Sequence, residues 1–208
     1  EMNIRDWSSD VCSSDLLASR PVWESFEERF DVDIGLRQTG YLMLARTEET
    51  ATGLERQVDL QHERGAETEF LTPEQATDRC AGVDPDAITA ATYNPRDGFA
   101  DPYLALQGYA DAAREAGVEI RTKTAVTDVR LDDGRVVGVD VTSDGAPSDD
   151  TIDADAVVNA TGPWAAELAT MAGIDIPIEP HRRQALVVDP ERPVPETDPL
   201  TIDLETGS

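Results

Sequence analysis

Between Leu17 and Phe30 the apolar residues Val22, Trp23, Phe26 and Phe30 recur at steps of three and four, which predicts a helix with one apolar face packed on a sheet. Ile34 and Leu36 then alternate with Asp33, Gly35 and Arg37, Thr39-Gly40 interrupts the run, and Tyr41 to Ala45 resumes it, as strands around a bend would. Thr47, followed by Glu48 and Glu49, opens a charged helix that reaches about Arg64 and is stopped by Gly65. Thr72-Pro73-Glu74-Gln75 reads as the N-cap, N1 proline and first turn of a shorter helix.

The second half of the chain has another texture. Asp101-Pro102 supplies a new N-cap and N1 proline, Leu106, Ala110, Ala113 and Ala116 mark one helical face, and Gly117 ends the helix. Val118 to Thr122 reads as a short strand. Val129 and Leu131 alternate into Asp132-Asp133-Gly134, a hairpin signal, and Val137, Val139 and Val141 alternate out again. Gly145 to Asp150 is expected to be an exposed loop. Ala154 to Ala160 reads as a strand of small apolar residues that breaks at Thr161-Gly162-Pro163 into a helix from Trp164 to Ala172, closed by Gly173. No segment repeats another. The order of elements suits an α/β architecture, an α+β mixture in which a sheet carries an antiparallel inset.

Charge narrows the range of partners. The 208 residues hold 17 Lys+Arg against 43 Asp+Glu, a formal net charge of −26, which repels nucleic acid and acidic membrane surfaces. Lys123 is the only lysine, and the acids are spread along the chain as on a halophile's surface, so a haloarchaeal source is expected. Cys12 and Cys80 are too few for a disulfide framework and have no zinc-ligand spacing; Cys80 is expected to fill a small apolar gap. No apolar run reaches the roughly 18 residues of a membrane span and no signal peptide opens the chain, which gives a cytoplasmic expectation. Asp6 to Leu16, DWSSDVCSSDL, has no apolar period, and its codons can be written as a string resembling a sequencing adapter, so the segment is expected to lie outside the fold.

The chemistry concentrates at NATGPW, Asn159 to Trp164. Small Ala160 and Gly162 let the backbone approach a bulky ligand, Pro163 presets the helix entry, and free amides of the first turn can face an anion or an electron-rich ring edge. An ordinary tight turn would have the same spacing.

Four segments together, GYLMLA (Gly40 to Ala45), DGFADPYLAL (Asp97 to Leu106), AGVEIRTKTAVTDV (Ala116 to Val129) and VVNATGPWAAELATMAGIDIPIEPHRRQ (Val157 to Gln184), resemble the D-amino-acid-oxidase-like flavoenzymes. That family includes glycine oxidase, D-amino-acid dehydrogenases and the beta subunit of heterotetrameric sarcosine oxidase. The resemblance implies a fragment of a FAD-binding Rossmann-like domain interleaved with an antiparallel-sheet substrate domain. Residues 17–95 and 176–208 would belong to the substrate domain, 96–175 to the FAD domain, and 1–16 to neither. It implies that the Val126 backbone pairs with the adenine of FAD, that Ala160, Thr161 and Gly162 pass close to the cofactor, and that Trp164 packs the turn holding them. It further implies oxidation of a C–N bond in a small amine or amino acid, with hydride transfer to flavin and reoxidation by oxygen or another acceptor, and a possible hetero-oligomer.

Two departures from the family stand out. The glycine-rich opening turn and its ribose-binding acid are missing, and the sequence stops before the last substrate-domain strands. The chain alone is therefore expected to be colourless, inactive and prone to aggregate. Catalytic residues stay unassigned. Tyr41 and Arg37 are candidates for a substrate cavity; His62 is expected to be solvated, His181 to start an exposed strand beside Arg182 and Arg183, and the Asn159-Ala160-Thr161 sequon to be fortuitous in a buried strand. A glycerol-3-phosphate-dehydrogenase-like flavoenzyme, an inactive fragment and a non-catalytic partner subunit are the alternatives.

Overall fold

A computed structural model describes residues 18–143, 146–182, 184–191 and 193–206. The Asp6 to Leu16 segment lies outside them, as do Cys12 and Arg183. Contacts divide the chain into two compact units, residues 1–118 with 190–208 and residues 119–189.

The first unit is built on a four-stranded sheet in which β1 (Tyr41–Ala45) is central. The order is β2 (Glu69–Leu71), β3 (Ala90–Asn94), β1, β7 (Leu200–Asp203), antiparallel except for the parallel β1–β7 pair. Successive side chains of a strand point to opposite faces. Leu42 and Leu44 accordingly pack with Leu71, Val83, Ile88 and Ala91 on one side, whereas Met43 and Ala45 join Ala51, Leu54 and Ala90 on the other. Helix α2 (Glu48–Glu63) covers the second face and α3 (Pro73–Arg79) the first.

Both helices begin and end where the local chemistry directs. Thr47 accepts a hydrogen bond from the Thr50 amide to cap α2, and Gly65 takes φ +83° just beyond it, a conformation cheap for glycine. Thr72 and Gln75 close a reciprocal capping box on α3, with Pro73 at its start. The far end of the chain is fastened by charge: Arg46 Nε donates to Asp203, and the Glu205 carboxylate accepts from the backbone amides of Arg46 and Thr47.

The opening helix departs from expectation in what it packs against. Residues 18–24 are helical, a turn follows at Ser25, and α1 (Phe26–Phe30) continues. Its aromatic face meets α4 (Pro102–Glu115) rather than a sheet: Phe26 is buried with Ile34 and Ala105. Gly108 makes that approach possible, because a Cβ there would lie 2.7 Å from the Phe26 ring. The buried face of α4 is thus Ala105 and Gly108, whereas Leu106, on the helical face that the sequence marked out, is exposed. Residues 34–37 contribute one isolated bridge, Arg37 to Phe99, instead of a strand.

In the second unit, β4 (Thr124–Asp132), β5 (Arg135–Ser143) and β6 (Ala146–Asp153) form an antiparallel meander. Asp133 (φ 49°) and Gly134 (φ 76°) both turn left-handed between β4 and β5, the geometry that a two-residue hairpin needs. Helix α5 (Ala165–Met171) places Leu168 on Val129, Val139 and Val141. Strand β6 occupies much of the stretch expected to be a loop, because residues 150–153 and Ala146 find ladder partners on β5. Conversely, residues 118–122 and 154–160 are not strands. No described residue supplies a ladder for them, and apolar alternation without a partner leaves backbone groups to water. No described helix is long and apolar enough to cross a membrane.

Candidate functional site

Two regions hold the residues singled out above. The first is a cavity of about 730 Å³ inside the first unit. Tyr41 and Met43 line it from the sheet face opposite Leu42 and Leu44, Gln57 and Gln61 from α2, Arg20 and Trp23 from the opening helix. The strand register that the sequence left open is therefore settled for Tyr41. Arg37 is not on the cavity wall: its amide and carbonyl pair with Phe99 at 2.9 and 3.1 Å, which holds the 97–101 segment in place. Gly98 sits so close to this pair that a Cβ would come within 2.3 Å of the Arg37 carbonyl oxygen.

Charge in the cavity is organised around Glu24. Its carboxylate accepts from Gln38 Nε2 and from Arg96 Nη2, both at 3.1 Å, and these two donors hold its pKa below the ordinary carboxylate value. Arg20 Nε lies 3.6 Å from the same oxygen, beyond hydrogen-bond reach, and is buried without a hydrogen-bond partner. Burial pushes the half-buried Asp97 carboxyl up from its ordinary value, against the opposing pull of Arg20. Arg20, Glu24, Gln61 and Asp97 were not candidates in the sequence, because nothing local marks residues that far apart as neighbours.

The second region is the 159–164 turn in the second unit. It brings Ala160, Thr161, Gly162 and Trp164 together. The Asn159 side chain fastens it, donating from Nδ2 to the Ala165 carbonyl at 2.8 Å and accepting from the Thr161 hydroxyl at 2.8 Å. Asn159 is thus neither buried nor in a strand, and its amide serves the turn. Gly162 adopts φ +55° and a Cβ on it would meet nothing within 4 Å, so the backbone there is open to a large neighbour. Trp164 is 65% exposed and Val158 87%. Val126 lies on β4, paired with Val141 and next to a bulge at Thr127; β4 is an edge strand among the described residues. An exposed turn with an unencumbered glycine and an apolar ring beside it fits a flat, bulky cofactor.

The histidines are both at the surface. His62 is exposed, as expected, with its Nε2 2.6 Å from the Thr68 carbonyl oxygen. His181 is exposed and lies in no strand. Cys80 packs beside the Leu42 core as an apolar filler would. No group of three potential metal ligands occurs among the described residues.

The cavity, the sheet and the glycine turn together belong to a recognisable class. The family described as FAD dependent oxidoreductase (DAO) matches residues 14–207, and the chain belongs to it. Within that class, the chain is 34% identical to sarcosine oxidase subunit beta of Arthrobacter sp over 184 residues, which cover 86% of this chain and 44% of that protein. It is 34% identical over 156 residues to the anaerobic glycerol-3-phosphate dehydrogenase subunit A1 of Haloferax volcanii, covering 71% of this chain and 26% of that one. Among solved structures, L-proline dehydrogenase from P. horikoshii aligns with a TM-score of 0.77 at 27% identity, over 98% of this chain and 52% of that chain. The chain therefore spans about half, or less, of the length of the proteins it matches.

Proposed function

We propose that the protein to which this chain belongs oxidises a C–N bond of a small amine or amino acid of the sarcosine, glycine, D-amino-acid or proline type. The observation that carries this reading is the family match across residues 14–207, which runs through both units and includes the cavity and the glycine turn. FAD, when bound, accepts the hydride that leaves the carbon next to nitrogen. The chain's own residues supply place and surroundings. Val126 would meet the adenine through its backbone, Ala160, Thr161 and Gly162 would lie close against the cofactor, and Trp164 would brace the turn. The first unit's cavity would take the substrate, with Tyr41 on its wall. We keep residues 17–95 and 176–208 for the substrate domain and 96–175 for the FAD domain, although the two compact units divide the chain at other points, after residues 118 and 189.

Oxygen or another acceptor would reoxidise the flavin, association with further subunits follows the sarcosine oxidase likeness, and the cytoplasm is the location we assign. The net charge of −26 supports a high-salt habitat, in which stability should rise with added KCl.

The test is to express the protein with its adjoining coding sequence, read the visible absorption of bound flavin, and assay sarcosine, glycine, proline and D-alanine. Bound flavin with turnover of one of these supports the reading, and a protein that holds no flavin sinks it. A second reading, oxidation of glycerol 3-phosphate, is favoured by the Haloferax volcanii likeness and is judged in the same assay.

A further inference from the structure

We propose that residues 18–24 are a hinged wall of the first unit's cavity, swinging at Ser25, and that the Glu24 carboxylate is the catch that holds this wall against Gln38 and Arg96. The inference concerns access to the cavity and stands whichever ligand the cavity takes.

The opening helix is anchored differently on the two sides of Ser25. Ser25 itself leaves helical geometry, with φ −111° and ψ 24°, and its hydroxyl donates to the Pro21 carbonyl at 2.6 Å. After this break, α1 is held by apolar burial: Phe26 is 1% exposed, packs with Ile34 and Ala105, and meets the Tyr109 ring edge-on at 5.2 Å. Before it, none of residues 18–24 is buried. Trp23 stacks on Phe26 with 5.9 Å between ring centres and stays exposed.

Polar contacts fasten the exposed side. Glu24 Oε1 accepts from Gln38 Nε2 and Arg96 Nη2, each at 3.1 Å, and Gln38 Nε2 also donates to the Arg96 carbonyl at 3.1 Å, so the three residues close a ring. Gln38 lies just before β1 and Arg96 just after β3, which ties the wall to the sheet. Arg20 pairs with Glu24 from within the segment and moves with it. The Glu24 and Arg96 side chains are 30% and 41% exposed, so solvent screens their attraction and the catch is far weaker than the buried Phe26 anchor. Local opening therefore parts residues 18–24 from the sheet and leaves 26–30 in place.

The consequence falls on the cavity. Arg20, Trp23 and Glu24 form part of its lining, and moving them away opens a path to Tyr41 and Met43 on the sheet. Salt gives the device a signature. Added KCl screens the self-repulsion of a chain with net charge −26 and steadies the fold, whereas the same screening weakens the Glu24–Arg96 attraction and loosens the wall.

The experiment follows amide hydrogen exchange in the complete protein without substrate, resolved by mass spectrometry into residues 18–24 and 26–30. Glu24→Ala should speed exchange at 18–24 about fivefold or more and leave 26–30 within about twofold, and Glu24→Gln, which keeps an acceptor and loses the charge, should fall between. Raising KCl from about 0.1 M to about 1 M should speed 18–24 in the wild type while global stability rises, and should not speed it in Glu24→Gln. A thiol reagent read at Met43→Cys reports access itself, and Glu24→Ala should speed that labelling about fivefold or more. Unchanged exchange or labelling in Glu24→Ala, equal acceleration at 26–30, or exchange at 18–24 that slows with salt would each overturn the proposal. Should Glu24→Ala disturb the fold, the near-isosteric Glu24→Gln and the salt series on the wild type still decide. None of these readouts uses flavin or turnover, so a failure of the oxidoreductase reading is distinguishable from a failure of this one.

Discussion

The two units solve the same problem with different means. In the first, β1 has a paired strand on either side and a helix over each face, so its residues are buried from both directions; Leu42 is 0% exposed. In the second, a three-stranded meander is covered by one short helix, and long stretches run beside it without pairing. Leu186, Val187 and Val188 are almost wholly exposed, although their apolar character equals that of β1. The contrast teaches that apolar sequence makes a strand only where a ladder and a second layer are present to receive it. The candidate sites follow the same division: the first unit encloses a cavity, and the second presents an open turn.

The sharpest way to break this comparison is to empty the two cores. Leu42→Ala removes a fully buried side chain from the central strand and should cost about 3 to 5 kcal/mol, read as a shift of the urea midpoint. Val141→Ala, in the best-buried position of the meander, should cost about 2 kcal/mol, from two fewer buried carbons and little cavity beneath one helix. Equal losses would mean that the second unit is held as firmly as the first.

Legibility in the sequence divides along the same line. Thr47, Thr72 and Asp101 as caps, Gly65 and Gly117 as stops, and the Asp133-Gly134 turn were all readable, because each is settled by contacts within a few residues. The 118–122 and 154–160 stretches carry strand composition, yet strand formation depends on a partner that no local pattern specifies. Strand β6 was hidden for the opposite reason: a polar run of serine and aspartate became a strand because β5 offered it an edge. At the candidate site, the glycine turn was legible as a turn from its spacing, and only the family resemblance marked it as a cofactor contact. The Arg20, Asp97 and Gln61 grouping was not, since only the folded chain brings those three to one cavity.

A smaller effect tests how the first unit holds residues 200–206. Burial acts to raise the Asp203 carboxyl, but the Arg46 side chain and the amides of Thr206 and Glu205 outweigh it and leave its pKa below the ordinary value. Burial likewise acts to raise Glu205, and Thr50, Arg46 and Thr47 together hold it low. A carboxylate whose folded pKa lies below its unfolded one stabilises the fold above the unfolded value and ceases to as pH falls through the folded one. Stability of the β1–β7 edge should therefore fall on acidification below about pH 4. Asp203→Asn should cost about 1 to 2 kcal/mol at pH 7, the lower part of the range for charged hydrogen bonds because Arg46 is half-exposed and screened. The difference between mutant and wild type should shrink in acid; a constant difference across pH would assign the loss to packing.

The smallest expected effect on the fold is also the most informative about the cofactor. Gly162 and Gly173 both lie in the second unit, both have left-handed φ, +55° and +71°, and neither has an atom within 4 Å of where a Cβ would stand. Alanine at either position should thus cost about 1 to 2 kcal/mol of backbone strain, nearly the same for both. Their functional consequences should differ. If the 159–164 turn lies against FAD, a side chain at 162 projects into the cofactor's space, whereas one at 173, beyond the far end of α5, does not. In the complete protein, a bulkier valine at 162 should weaken FAD binding at least tenfold, and valine at 173 should leave it within about twofold, because strain alone is common to both. Flavin content of the purified variants and FAD titration of the apoproteins measure this directly. Equal flavin loss in the two would reduce the turn to a structural element and remove Ala160, Thr161, Gly162 and Trp164 from the cofactor site.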